Sequence, residues 1–307
     1  MSKLDRHTLL IDDEVAAFLK SVKTRQTVDI EAAGTLPRKC DEKNPLQNNS
    51  SDAVRRKIPV KKTDSSSPKP GLVPVLAGSP WKHYTQEYFI EYWCLFAIAT
   101  SKTSRENLHM IRSAPALNDE KLQIIRQICH PNVVETMEVY SHDDGNHYIV
   151  SRMMESSLMH VCRAPEYPSE SQLSSILFQV LSGAEYLISK GLVPESITCA
   201  GVLINLAGEV KISNIEEFQP GGKTEIFLES FCRLFMMLMD KGKGPEAKIG
   251  LSNLDRWSPE AVNMLSLLDS GPSMEELAKH GFWKKGRKED LKSLAYFTLI
   301  TAYHRRS

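Results

Sequence analysis

Apolar residues recur with strand-like spacing in the first part of the chain after residue 80. Four segments there are rich in β-branched and aromatic residues, which predicts strands. Asp144-Gly145 lies between the last two segments and favours a hairpin turn. Apolar residues at helical spacing predict one helix over 117–128. The predicted strands are 88–99, 106–112, 133–140 and 147–151.

After residue 155 the apolar spacing becomes helical. Ser169 and Gln172 form a capping-box pattern, and apolar residues then recur at i, i+3 and i+4 until Gly191, which predicts a long buried helix. The stretch 224–240 is apolar nearly all round, as is typical of a central helix. The remaining predicted elements are a hairpin over 202–213 around Gly208, a helix from Ser258-Pro259, one capped by Ser273 and Glu276, and a final amphipathic helix through 288–304.

Residues 1–80 have a different composition. From 35 to 79 the chain is rich in Pro, Ser, Asn and Lys and poor in aromatics, which predicts a disordered tail because little apolar surface is available for burial. A short helix is predicted near 10–22. The basic run 55–62 (RRKIPVKK) is typical either of a nuclear-import signal or of a solvated charged linker, and we favour the linker.

Charge and cysteine content narrow the function classes. The 38 basic residues balance the 38 acidic ones, which argues against nucleic-acid or membrane binding driven by overall charge. The apolar stretches 89–99 and 226–239 are shorter than the roughly 20 residues of a membrane span. Without an apolar N-terminal signal, we expect an intracellular protein, cytoplasmic and/or nuclear. The six cysteines lack metal-ligand spacing, so we expect scattered reduced thiols and no metal site.

The order of several short segments resembles that of the eukaryotic protein kinase domain of the serine/threonine type. The resemblance implies an α+β, protein-kinase-like two-lobe fold over 82–285, with a β-rich N-lobe (82–151), an α-helical C-lobe (155–285) and a C-terminal amphipathic helix (286–307). The matching segments are HPNVV (130–134), YIVSRMMESSL (148–158), QVLSGAEYLISKGLV (179–193), VLINLAGEVKIS (202–213), SPEAVNMLSLL (258–268) and EELAKHGFW (275–283).

The same resemblance places unusual residues at the family's nucleotide-binding positions in the N-lobe. The chain has no glycine between Gly78 and Gly145, where the family has a Gly-rich loop. Arg112 replaces the phosphate-pairing Lys, and Lys121 replaces the helix Glu, so the two cations are expected to repel each other. The hinge-equivalent residues are Ser151, Arg152, Met153 and Met154. Ser151, at the gatekeeper position, is expected to leave the back of the pocket open.

The family's catalytic motifs are also replaced. Pro194-Glu195-Ser196 stands in place of H-R-D, followed by Thr198 and Gly201 where the family has Lys and Asn. Asn214-Ile215-Glu216 stands in place of D-F-G. Only eight residues, 216–223, precede the central helix, which leaves little room for an activation segment.

These replacements predict a pseudokinase, not an enzyme, that acts as an interaction, scaffold or regulatory module. No cofactor is implied, and the expected partner is a protein, such as an active kinase or its substrate, with no nucleic acid or membrane. The alternative is a divergent serine/threonine kinase with residual ATP binding and weak transfer, using Mg held by Glu195, Glu216 or Glu217. A third interpretation is a decayed duplicate.

Overall fold

A computed structural model describes residues 72–114, 117–142, 145–194 and 196–304. Within them an N-terminal lobe built on a β-sheet is followed by a larger helical lobe, as the sequence predicts. The predicted helix near 10–22, the basic run 55–62 and most of the predicted disordered tail lie outside the described residues.

The N-lobe is a six-stranded sheet with the order β1-β5-β6-β4-β3-β2. Strand β1 pairs with β5 in parallel, and the other neighbours are antiparallel. One helix, α1 (Asp119–Ile125), is capped by the Asn118 side chain, which accepts from the Lys121 amide. The strands are β1 (Val75–Ala77), β2 (Tyr84–Glu91), β3 (Leu95–Ser101), β4 (Leu108–Ala114), β5 (Thr136–Ser141) and β6 (His147–Arg152).

Three predictions in this lobe need correction. The single strand expected over 88–99 is wrong: β2 and β3 are separated by a bend at Tyr92–Cys94, whose apolar side chains carry no turn signal. The tail boundary at 80 is wrong as well, because Val75–Ala77 is held in the sheet by β5. Helix α1 is also shorter than the 117–128 segment.

The C-lobe contains six helices among the described residues. The predicted capping box of Ser169 and Gln172 is present at the start of α3, and that of Ser273 and Glu276 at the start of α6. Pro259 occupies the first position of α5, where no amide hydrogen bond is lost. The helices are α2 (Leu158–Arg163), α3 (Glu170–Ser189), α4 (Thr224–Met239), α5 (Pro259–Asp269), α6 (Met274–Lys279) and α7 (Leu291–His304).

Helices α3 and α4 form the centre of the C-lobe core. Most residues of α4 are buried in this core, as predicted for a central helix, but Ile226 and Glu229 are exposed on one side. The Phe235 ring lies 5.7 Å from that of Phe282, so the turn after α6 packs on this helix. No helix among the described residues is long and apolar enough to cross a bilayer.

Short strands connect this core to the cleft between the lobes. The predicted hairpin is confirmed as β9 (Val202–Ile204) and β10 (Val210–Ile212), which β7 (Ser156–Ser157) extends. Strand β8 (Leu192–Val193) pairs with β11 (Gln219–Pro220). Helix α2 and the strands β7, β8 and β11 were not predicted, because such short pieces contain too few residues to show a period.

The C-terminal helix differs in part from its prediction. Lys288–Asp290 form a 3-10 turn, and α7 begins at Leu291. Leu294 and Ala295 are buried in the C-lobe core, whereas Tyr296 and Ile300 are exposed apolar residues on the outer side. The helix therefore packs on its own lobe, and its outer side carries these apolar residues beside the exposed polar Lys292 and Ser293.

Candidate functional site

The cleft between the lobes is filled by apolar side chains. Phe96 and Met110 come from the N-lobe sheet, Met154 from the connection between the lobes, and Leu203 from β9. All four are no more than 2% exposed and pack in one cluster. This packing contradicts the open pocket expected behind Ser151, whose hydroxyl donates to the Met110 carbonyl at 3.2 Å.

The bend between β2 and β3 packs against this cluster from the N-lobe side. Tyr92 donates its hydroxyl to the Met154 carbonyl at 2.9 Å, and the Trp93 indole donates to the Ser213 hydroxyl at 2.7 Å. Ser213 in turn donates to the Gly201 carbonyl at 2.8 Å. The bend is thus hydrogen-bonded to both the connection between the lobes and the floor of the cleft.

Arg112 and Glu216 form a buried ion pair at the inner end of the cleft. The Arg112 Nε and Nη2 atoms donate to the two Glu216 carboxylate oxygens at 2.6 and 2.7 Å. The side chains are 2% and 9% exposed. Burial alone would lower the pKa of Arg112, but the Glu216 carboxylate raises it above its ordinary value, so the guanidinium stays charged.

The remaining sides of the Arg112 guanidinium face aromatic rings and one backbone group. Its carbon lies 5.6 Å from the Trp93 ring centroid and 5.9 Å from that of Phe96. Nη2 also donates to the Ser213 carbonyl at 3.3 Å. Nη1 is buried and has no hydrogen-bond partner among the described residues. One guanidinium donor therefore remains available inside the cleft.

Lys121 on α1 lies next to the ion pair, and the expected repulsion from Arg112 is wrong. Its Nζ donates to the Glu216 backbone carbonyl at 2.7 Å. Glu216 therefore binds both cations, Arg112 through its carboxylate and Lys121 through its backbone. The sequence places Glu216 more than 90 residues from either cation, so no local pattern revealed this bridge.

Asn214, Ile215 and Gly201 lie together on the floor of the cleft. Asn214 and Ile215 are buried, and the Asn214 amide donates to Glu217 Oε2 at 3.0 Å. A Cβ at Gly201 would lie 3.0 Å from Asn214 Oδ1. Gly201 and Asn214 are therefore in close contact.

The segment after β8 contributes a second edge of the floor. Pro194 is buried, whereas Ser196 and Thr198 are exposed. The Thr198 hydroxyl accepts from the Gly201 amide at 3.1 Å. Glu195 lies outside the described residues.

The connection between the lobes and the segment before α4 form the remaining borders of the cleft. Arg152 is exposed and forms an ion pair with Glu135, while Met153 is half-buried and Met154 buried. Gln219 and Pro220 pair with β8, and α4 begins at Thr224.

As placed, these side chains do not fit a nucleotide or its metal. The aromatic and methionine side chains occupy the centre of the cleft. Both Glu216 oxygens are engaged by Arg112, and a Glu217 oxygen accepts from Asn214. Among the described residues no group of three or more His, Cys, Asp or Glu is arranged to hold a metal ion.

Comparison with known proteins shows which family this part of the chain is similar to. The sequence model described as protein tyrosine and serine/threonine kinase matches residues 102–216, which run from the end of β3 through the cleft to Glu216. This stretch of the chain is similar to the protein kinase domain family. The matched range includes the ion-paired Arg112 and Glu216, so the unusual residues lie within the kinase-like part.

Individual relatives are similar at a lower level. The chain is 26% identical over 164 residues to cyclin-dependent kinase G-1 of Oryza sativa subsp. indica, covering 52% of this chain and 23% of that relative. It is 29% identical over 97 residues to mitogen-activated protein kinase pmk-2 of Caenorhabditis elegans, covering 30% and 23%. With mitogen-activated protein kinase kinase kinase 1a of Physcomitrium patens it shares 25% over 179 residues, covering 58% and 23%. The matches span about a quarter of each relative's length.

These comparisons correct one expectation from the sequence. The replaced motifs predicted a protein that is not an enzyme, but the relatives are named as protein kinases, and this kinship points to an enzyme. The prediction rested on the motif positions alone, and the pairing of Arg112 with the Glu216 carboxylate was not predicted.

Proposed function

We propose that the chain is a divergent serine/threonine protein kinase that binds ATP weakly and transfers phosphate slowly. The observation that carries this proposal is the buried Arg112 guanidinium, whose Nη1 group has no hydrogen-bond partner among the described residues. The resemblance assigns Arg112 to the position of the phosphate-pairing Lys. A guanidinium binds phosphate oxygens well, so Arg112 can take the role of the family's Lys. The kinship with named protein kinases supports the same conclusion.

Nucleotide binding requires the bend at Tyr92–Cys94 to open. Trp93 and Phe96 stand over Arg112, and the Trp93 indole is hydrogen-bonded to Ser213 on the opposite side. The closed bend therefore competes with the nucleotide for the same space. Weak binding follows, because part of the binding free energy is spent on opening the bend.

The test compares the full-length protein with its Trp93→Ala variant. Removing the indole is expected to tighten binding of a fluorescent ATP analogue, with Mg or Mn in the buffer, and to increase phosphate incorporation into a generic protein substrate. Arg112→Met is expected to lower both. Arg105→Met is the matched control, since this exposed arginine between β3 and β4 is not among the hinge or cleft residues and is expected to leave both unchanged.

Three results would contradict the proposal. The first is that neither wild type nor Trp93→Ala binds the analogue although both unfold cooperatively. The second is that Arg112→Met binds the analogue as well as wild type does, and the third is that phosphate incorporation stays at background in every variant. Circular dichroism of each variant checks that it is folded.

The closed cleft also favours a second role, as a protein-binding regulatory module, which is compatible with slow transfer. The bend is hydrogen-bonded to the connection between the lobes through Tyr92 and to the floor through Trp93, and these two bonds hold one lobe arrangement. A partner that recognises this arrangement, such as a second kinase, loses affinity when the bend opens. Quantitative affinity purification is expected to recover more of this partner with the wild-type protein than with Trp93→Ala. Equal recovery with the two proteins would contradict this role.

A further inference from the structure

Two cysteines that are distant in sequence are in contact within the C-lobe. Cys162 lies on α2 and Cys199 on the segment after β8, and their sulfur atoms are 3.7 Å apart. The Met159 amide donates to the Cys199 carbonyl at 2.8 Å, so the backbone holds α2 against this segment. The contact therefore depends on the fold and is absent from any local sequence pattern.

The two thiols differ in accessibility. Cys162 is half-buried, whereas Cys199 is 1% exposed. A small reagent from solvent therefore reaches Cys162 first, and Cys199 lies directly behind it.

The Cys162 thiol has contacts with opposing effects on its protonation, and its donation to the Met237 carbonyl at 3.6 Å favours the protonated form. The hydrogen bond with Cys199 lowers the pKa of Cys162, burial opposes this, and the positive charges of Lys241 and Arg163 lower it further. Lys241 is fixed nearby, because its Nζ donates to the Val161 and Ala164 carbonyls at 2.8 and 2.9 Å. The pKa of Cys199 is raised, so its proton is retained until Cys162 has reacted.

We propose that Cys162 and Cys199 are a redox pair that forms a reversible disulfide when the protein meets a hydroperoxide. A disulfide bond is about 2.0 Å long, so the sulfur atoms have to approach by only about 1.7 Å. Closing this gap requires a small movement of the two side chains toward each other.

The reaction proceeds in two steps. The Cys162 thiolate attacks one peroxide oxygen, the O–O bond breaks, and hydroxide leaves with the electron pair, which gives a sulfenic acid. Cys199 then attacks the Cys162 sulfur, the S–O bond breaks, and the leaving hydroxide takes the Cys199 proton as water. In total the two thiols lose two electrons and two protons, and hydrogen peroxide is reduced to two molecules of water.

The bond would tie α2 to the segment that carries Thr198 and Gly201. That segment forms one edge of the cleft floor, so the disulfide would restrict any movement of the floor relative to the connection between the lobes. This consequence does not depend on whether the protein transfers phosphate.

The test is peptide mapping of the full-length protein after treatment with hydrogen peroxide. Free thiols are alkylated, and the protein is digested with trypsin without reductant. Cleavage after Arg152, Arg163, Lys190 and Lys211 places the two cysteines on peptides 153–163 and 191–211. The expected product is these two peptides joined, with a mass lower by two hydrogens than their sum, and it disappears on treatment with dithiothreitol.

Matched variants separate this pair from other thiols. Cys129 is exposed, so Cys129→Ser is expected to leave the joined peptides unchanged, whereas Cys162→Ser abolishes them. Thermal unfolding of the oxidised wild type is expected to shift upward by roughly 5–10 °C, as a cross-link that closes a loop of this size restricts the unfolded chain. Cys162→Ser shows no such shift.

The proposal is overturned if peroxide-treated wild type yields Cys162 and Cys199 only as separately alkylated peptides. It is also overturned if Cys162 accumulates as sulfinic acid without the joined product, because a neighbouring thiol 3.7 Å away should trap the sulfenic acid first.

Discussion

Removing the Glu216 carboxylate should destabilise the protein far more than removing an exposed one. In the Glu216→Gln variant the Arg112 guanidinium, whose side chain is 2% exposed, loses its counter-charge but stays charged. Breaking one side of a buried ion pair costs about 3–5 kcal/mol. The Gln amide oxygen still accepts one hydrogen bond, so we expect about 3 kcal/mol, or a decrease in Tm of roughly 6–12 °C.

The assay is urea unfolding of the full-length protein followed by circular dichroism. The control is Glu135→Gln, which breaks the Arg152–Glu135 ion pair, where the side chains are 65% and 53% exposed. Exposed pairs contribute about 0–1 kcal/mol, so the control should change the free energy of unfolding by less than about 1 kcal/mol.

A double-mutant cycle checks the cause. Arg112→Met places an apolar side chain among Trp93 and Phe96, so the loss of both charges leaves no uncompensated ion. Arg112→Met combined with Glu216→Gln should therefore be more stable than the sum of the single effects predicts, by about 2 kcal/mol. The reasoning is refuted if Glu216→Gln costs no more than Glu135→Gln, or if the two effects simply add.

Three further predictions concern packing, pH and helix capping. Gly183→Ala should lower stability by about 1–3 kcal/mol despite its better helix propensity, because the new Cβ would lie 2.6 Å from the Asn132 carbonyl oxygen; thermal unfolding measures this. Burial raises the pKa of Glu170, but hydrogen bonds from Lys285 and from the Ser258 backbone and hydroxyl lower it below 4.5 overall. The Glu170 carboxylate therefore contributes fully to the free energy of unfolding above about pH 4.5, and this contribution is lost as the pH falls through the lowered pKa of the folded state. The urea midpoints of wild type and Glu170→Gln should accordingly converge in acid. Ser169→Ala should cost about 1 kcal/mol in the same urea assay, since it removes the capping box of α3, and no change would contradict that role.

Local patterns predicted the long elements well and the short ones poorly. Helix α3 has a capping box followed by an uninterrupted apolar period, and the 202–213 hairpin turns at Gly208, which has a positive φ of 79°. Strands β2 and β3 were joined in the prediction because their bend contains Tyr92 and Trp93, which are typical strand residues. These aromatics favour the bend through contacts across the cleft, and those contacts are not encoded by neighbours in sequence.

The sequence by itself determined the order of the elements, the two-lobe fold and the identity of the residues at the cleft positions. Only the tertiary structure decided how those residues pair: Arg112 with Glu216 across 104 positions, Trp93 with Ser213 across 120, and Cys162 with Cys199 across 37. Periodicity and capping depend on residues within one or two turns, so they can be read from the chain. Charge compensation and thiol contact depend on distances that exist only after the lobes have folded. For this reason the repulsion predicted at Lys121 was wrong, and the contact between Cys162 and Cys199 was not predicted.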